Sequence, residues 1–300
     1  MGYRMDLKDA DRMFAKLQEE YEIWAPKRFV GKGRYSDTDL IKYARVDRAE
    51  EIEYREKSDF PAKEVLSPIT QSLFYFTEDE FIESKAGSKK LLIFMRPCDI
   101  HAQHHQEKIY LTNGGYEDIY YKRMNEKVKI VMMECGEGWD TCFCASMGTN
   151  KTDDYSMAVR FGEDGLEFQV KDHAFASYFE GMEECPFEPQ FVEKNELTLT
   201  VPEVPDKEVL TKLKEHPMWR QFDGRCISCG ACTVACSTCT CFETTDIIYT
   251  QNGKAGERRR TCSSCMVDGF DRMAGGACFR HKISEKYRYK ILHKVYGHNA

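Results

Sequence analysis

Residues 226–236 read Cys226-Ile227-Ser228-Cys229-Gly230-Ala231-Cys232-Thr233-Val234-Ala235-Cys236, a C-x2-C-x2-C-x3-C run. This spacing suits ligation of a cubane iron–sulfur cluster. Three cysteines three apart on a tight loop direct their sulfurs to three corners of one cube. Gly230 lets the backbone turn and aim N–H groups at those sulfurs. Cys236, carried away on the next helical turn, stands where two-cluster ferredoxins take a ligand for their other cluster. Such proteins usually place Pro next. Ser237 stands here instead, a mild departure, because Pro shapes the exit of the chain and is not a ligand.

A zinc site is the weaker reading. Cys226/Cys229 and Cys262/Cys265 form two C-x2-C pairs, but 32 residues lie between them, more than zinc pairs usually span. Zinc also leaves Cys232 and Cys236 unexplained. Downstream, Cys239 and Cys241 follow at once, then Cys262, Cys265 and Cys278. Four of these could hold one more cluster, with Cys239, Cys241 and Cys265 the first choices. The alternative is that some are only packed near the clusters, since ligand grouping cannot be read from sequence.

Nine of the chain's 14 cysteines fall between Cys226 and Cys278. Cys98, Cys135, Cys142, Cys144 and Cys185 are scattered upstream. The longest apolar run is Leu91–Met95, too short to span a membrane, and no secretory leader pattern opens the chain. A cytoplasmic location is expected, where clustered thiols indicate metal or redox chemistry rather than disulfides.

Upstream of the run, the expected architecture is an α+β or α/β scaffold and docking domain over residues 1–220. A ferredoxin-like [4Fe-4S] domain follows over 221–300. Leu7, Met13, Phe14, Leu17 and Tyr21 recur at helical spacing. Thr77 and Glu80 form a capping-box pattern for a short helix. Leu91–Met95 and Val128–Met133 read as buried strands, with a helix starting near Asp99 between them, a βαβ pattern. Ser156–Phe161 and Leu166–Val170, around Gly162-Glu163-Asp164-Gly165, read as a hairpin. Leu197, Leu199 and Val201 suggest a strand, Pro202 and Pro205 a linker, and Asp206 the cap of a helix ending near His216-Pro217.

Cys98, Cys135, Cys142 and Cys144 lie at or beyond the predicted strand ends, with His101, His104 and His105 after Cys98. A further redox or metal site there is one reading. Ordinary burial is the favoured one, because no pair has a firm ligand spacing. His101 and His105 share a helix face, without the intervening Glu of a metalloprotease.

At these residues the chain resembles the A subunit of anaerobic sulfite reductase. The motifs are Arg225-Cys-Ile-Ser-Cys-Gly-Ala-Cys, then Cys236-Ser-Thr-Cys-Thr-Cys-Phe242 and Gly256-Glu-Arg-Arg-Arg260. Cys265-Met-Val-Asp-Gly-Phe270, Met273-Ala-Gly-Gly276 and Tyr289-Lys-Ile-Leu-His-Lys-Val-Tyr296 follow. Upstream, Arg96-Pro-Cys-Asp-Ile-His-Ala102 and Cys142-Phe-Cys-Ala-Ser-Met-Gly148 also fit. The chain is similar, more distantly, to iron–sulfur β subunits of cytoplasmic nickel–iron sulfhydrogenases.

The resemblance implies a subunit, non-catalytic by itself, that relays single electrons through two or more [4Fe-4S] clusters. The donor would be a flavin- and NAD(P)H-dependent reductase subunit, and the acceptor a sirohaem subunit reducing sulfite to sulfide. The hydrogenase role differs in partner rather than chemistry. The family carries a second C-x2-C-G-x-C…C-P motif beyond the Leu292-His-Lys-Val-Tyr296 stretch, whereas this chain ends at His298-Asn299-Ala300. A C-terminal truncation is therefore expected.

A third reading comes from charge. Residues 251–300 hold 11 Lys/Arg and four Asp/Glu in a chain of net charge −7. Arg258, Arg259, Arg260, Lys286, Arg288 and Lys290 could form the basic face of a zinc-stabilised nucleic-acid-binding module. The acidic remainder and the ferredoxin spacing weigh against it, so no nucleic acid and no membrane are expected as partners.

Overall fold

The computed structural model describes residues 2–85, 87–163, 165–200, 203 and 206–296. Asp164, Val201, Pro202, Pro205 and His298–Ala300 lie outside the described residues. In chain order the elements begin β1 (Gly2–Met5), α1 (Leu7–Glu20), β2 (Tyr21–Phe29), β3 (Leu40–Arg45), α2 (Lys63–Leu66), β4 (Thr70–Phe76) and β5 (Phe81–Glu83). They continue with β6 (Lys90–Met95), α3 (Pro97–Glu107), α4 (Ile119–Asn125), β7 (Val128–Met133), β8 (Met157–Phe161), β9 (Leu166–Val170) and β10 (Glu183–Cys185). The remainder is α5 (Lys207–Glu215), α6 (Phe222–Arg225), α7 (Ala231–Val234), β11 (Phe242–Ile248), β12 (Gly256–Cys262) and α8 (Ile283–Tyr296). Two compact units result, Met1–Pro68 with Ser84–Leu199, and Ile69–Glu83 with Thr200–Ala300.

The first unit is built on an eight-stranded mixed sheet, ordered β10-β1-β9-β8-β7-β6-β2-β3. Its centre is parallel: β6 pairs with β2 on one side and β7 on the other, and β7 with β8. Parallel strands need both faces covered, and β6 has the matching composition. Leu92 and Phe94 join one core with Val131, Met133 and the α1 residues Ala10, Met13, Phe14 and Leu17. Leu91, Ile93 and Met95 face the opposite core with Met132, Ile100 and Tyr121. Helix α1 buries Met13, Phe14 and Leu17 of the expected stripe, whereas Leu7 is exposed and Tyr21 opens β2; Asp6 caps the helix by accepting from the Asp9 N–H at 2.8 Å. The β6–α3–β7 crossover and the β8–β9 hairpin also form as the sequence predicts.

Two local expectations fail. Thr77 and Glu80 do not open a helix; they close the turn between β4 and β5, with Thr77 N–H donating to Glu80 O at 2.9 Å. Thr77 Oγ1 accepts from the Glu80 N–H at 3.2 Å. A threonine bonding three residues on serves a turn as well as a helix cap. Leu197 and Leu199 lie in irregular chain rather than a strand.

The second unit contains an antiparallel sheet ordered β11-β12-β4-β5. The upstream hairpin β4–β5 thus completes a sheet begun by strands that follow the cysteine run. The unit also takes in residues 200–220, more than the 221–300 span drawn from the cysteine pattern. The reason is packing: Leu210 of α5 and Trp219 share a core with Leu292 and Tyr296 of α8. The Trp219 indole N–H donates to Leu213 O at 2.7 Å.

Candidate iron–sulfur centre

The loop from Cys226 to Gly230 is held in a conformation that few residues adopt. Ser228 has φ +54°, and its N–H donates to Cys226 Sγ at 3.4 Å. Gly230 has φ +74°, and a Cβ there would come within 3.1 Å of Val267. Only glycine tolerates both the left-handed backbone and that approach. Strain of this kind persists where the surroundings over-determine it, commonly at a functional site.

From Gly230 the chain enters α7, which buries Thr233 fully. Thr233 and Ser264 share a hydrogen bond of 2.6 Å, tying the run to the segment that carries Cys265. Helix α8 supplies Lys290, only 7% exposed. Its ammonium donates to Thr233 Oγ1 at 3.2 Å and to Cys239 Sγ at 3.4 Å. Burial works against the Lys290 charge, but the thiols of Cys239, Cys232 and Cys265 outweigh it and raise its pKa.

Cys239, Cys232 and Cys265 act on that ammonium directly, and the other thiols are linked to these three. Burial pushes Cys232 up; Lys290 opposes this, and Cys226, Cys239 and Cys229 add to it. A hydrogen bond with Cys241 draws the Cys265 thiol down to about 7, against burial and with help from Lys290. Cys236 is pushed up to about 12, first by its hydrogen bond with Cys239 and then by burial. The structure therefore brings together all four cysteines of the run with Cys239, Cys241 and Cys265. Cys278 is directed elsewhere, its Sγ lying 3.3 Å from Asp271 Oδ1 and 3.4 Å from Arg280 O.

These features suit a thiolate-ligated cluster. The cysteines are free thiols, a backbone N–H is aimed at sulfur, and a buried cation offsets thiolate charge. Among the described residues no three His, Cys, Asp or Glu side chains converge closely enough to hold a single metal ion. A cubane sets its thiolates further apart, one to each iron corner. When bound, such a cluster supplies one-electron chemistry, which the surrounding hydrogen bonds and charges tune.

Residues 225–300 match the family model of a 4Fe-4S dicluster domain. The chain's cofactors are 4Fe-4S clusters, in a mixed α/β protein with this dicluster domain at residues 225–300. Along most of its length the chain is also similar to sulfhydrogenase 2 subunit beta of Pyrococcus furiosus. The two are 25% identical over 297 residues, which cover 94% of this chain and 85% of the relative. No solved structure matches the chain.

The basic face of the third reading is not present as imagined. Lys286 and Lys290 are buried. Arg258 pairs with Asp246 at 2.7 Å, Arg259 with Glu257, and Lys286 with Asp268 at 2.8 Å. Arg260 donates to Gln71 at 2.9 Å and Arg288 to Lys214 O at 2.7 Å. Lys290 is the candidate-site residue that sequence reasoning misplaced. Its only sequence signal is a lysine on the same helical stripe as Lys286, whose partners cannot be guessed from spacing.

Proposed function

We propose that this chain is the iron–sulfur electron-transfer subunit of a sulfhydrogenase-type oxidoreductase complex, a role differing from the sulfite reductase reading in partner. The observation that carries it is the gathering of Cys232, Cys239 and Cys265 around the buried Lys290 ammonium. The likeness to a sulfhydrogenase β subunit over nearly the whole chain supports the choice of complex. In this reading Cys226, Cys229, Cys232 and Cys236 are ligands, and Cys239, Cys241 and Cys265 complete the sets. The chain relays electrons singly, and the bond-making chemistry belongs to cofactors on partner subunits. No helix among the described residues is long and apolar enough to cross a membrane, and a cytoplasmic complex is the location we propose.

The second reading keeps the same relay but places it in an anaerobic sulfite reductase, between a flavin/NAD(P)H-dependent subunit and a sirohaem subunit. The Arg96–Ala102 and Cys236–Phe242 motifs favour it. Anaerobic purification of the native complex separates the two. Reduction of the chain's clusters by H2 through a co-purifying nickel–iron subunit is expected. Reoxidation by sulfite through a sirohaem subunit, with no response to H2, would favour the second reading. Partners with neither activity would refute both.

A further inference from the structure

The first unit collects four cysteines that the dicluster domain does not use. Cys98 follows β6 and is the second residue of α3. Cys135 lies just past the end of β7. Strands β6 and β7 are parallel neighbours, with Met95 opposite Met132, so both cysteines emerge at the same edge of the sheet. That edge, beyond the carboxyl ends of parallel strands, is where open α/β sheets bind ligands. Cys142 and Cys144 come from the loop joining β7 to β8, which returns over that edge.

The loop is held by Asn195, which is 5% exposed. Its Oδ1 accepts from the Ala145 N–H at 2.8 Å and lies 3.5 Å from Cys144 Sγ. Its Nδ2 is buried without a hydrogen-bond partner among the described residues. That nitrogen lies against Gly138, where a Cβ would come within 2.7 Å of it and 3.4 Å of Cys142 Cβ. An orphaned amide donor beside a cysteine loop is costly unless something accepts from it, and cluster sulfur is such an acceptor.

Charge completes the setting. Arg96 is buried, its guanidinium 4.6 Å from the centre of the Trp139 ring, and it donates to Tyr54 O at 3.0 Å and Glu56 O at 3.3 Å. The thiols of Cys98, Cys135 and Cys144 act on one another, as do those of Cys135 and Cys142. Arg96 acts on both Cys98 and Cys135. Cys98 remains solvent-accessible, as a thiol in a recess does.

We propose that Cys98, Cys135, Cys142 and Cys144 ligate an additional [4Fe-4S] cluster, with the Asn195 amide donating to it and Arg96 offsetting its charge. This site is independent of which complex the chain serves.

The test uses the full chain, purified anaerobically. Replacing Cys226, Cys229, Cys232, Cys236, Cys239, Cys241 and Cys265 by Ala removes every ligand assigned to the dicluster domain, so iron that survives belongs to another site. About four iron and four acid-labile sulfide per chain should survive in this variant, with a reduced-cubane EPR signal. Adding Cys135→Ser and Cys144→Ser should abolish them. Iron lost completely in the variant without dicluster ligands, or zinc in place of iron, overturns the proposal. A second measurement needs no substitution. Alkylation of the native holoprotein followed by mass spectrometry should leave Cys98, Cys135, Cys142 and Cys144 unlabelled until iron is stripped. Labelling of the accessible Cys98 before stripping overturns the proposal.

Discussion

Replacing Lys290 by Met removes the buried charge that the structure places against Cys239 while keeping much of the side-chain volume. An electron added to a cluster makes it more negative, so the ammonium stabilises the reduced form and its loss should lower the reduction potential. The Nζ lies 3.4 Å from Cys239 Sγ, and the added electron is shared over the cube beyond that sulfur. With roughly 6 Å to the centre of charge and an effective dielectric of about 20, the attraction is about 3 kcal/mol. For one electron that corresponds to about 120 mV. The assay is a potentiometric titration of the anaerobic holoprotein followed by EPR, with iron counted to show that the clusters are retained. Lys290→Arg, which keeps the charge, should recover most of the shift. A Lys290→Met potential unchanged to within about 20 mV, or raised, with full iron content, would refute the electrostatic role assigned to this lysine.

Gly230→Ala should cost about 1–3 kcal/mol from backbone strain and lower the iron content, measured as thermal midpoint and iron per chain. Cys239→Ser should reduce iron and labile sulfide, whereas Cys278→Ser, whose sulfur faces Asp271 and Arg280, should leave both unchanged; equal losses would sink this grouping. Phe14→Ala, at a fully buried core position, should destabilise the first unit by about 3–5 kcal/mol in denaturant titration. The Asp172 carboxyl is held below its usual range, first by its hydrogen bond with Lys129 and then by the Ala174 N–H. Its stabilising contribution is therefore present above the unfolded carboxylate pKa and is lost as pH falls through the lower folded value. Asp172→Asn keeps a capping oxygen but no charge, so its stability deficit against the native chain should be evident at pH 7 and shrink progressively as pH falls below the unfolded carboxylate range.

Local pattern revealed the elements whose stabilising contacts are close in sequence or uniform in character. The stripe on α1 and the unbroken apolar runs of β6 and β7 are of this kind, since a strand buried on both faces needs no alternation. The cysteine run was equally legible because loop geometry alone sets the spacing of three cube corners. What escaped depends on distant pairing. Thr77 and Glu80 look like a helix start because the local hydrogen bond is the same in a turn; only pairing with β12 makes the flanking residues strands. The approach of Cys98 and Cys135 follows from the parallel register of β6 and β7, and no spacing rule covers residues joined through a sheet edge. Lys290 reads as surface charge until α8 is seen to pack against the cysteine loops.

The β4–β5 hairpin has a consequence for how the protein is made. Thr70–Glu83 leaves the ribosome well before Phe242–Cys262, yet the edge of β4 away from β5 is paired only by β12. During synthesis the hairpin presents an unsatisfied edge, a hazard for pairing with other nascent chains. Its late partner makes this sheet a slow, non-local step of folding. An excised C-terminal fragment would likewise leave β12 without its neighbour, so cluster loading of such a fragment would test a damaged sheet rather than the native one.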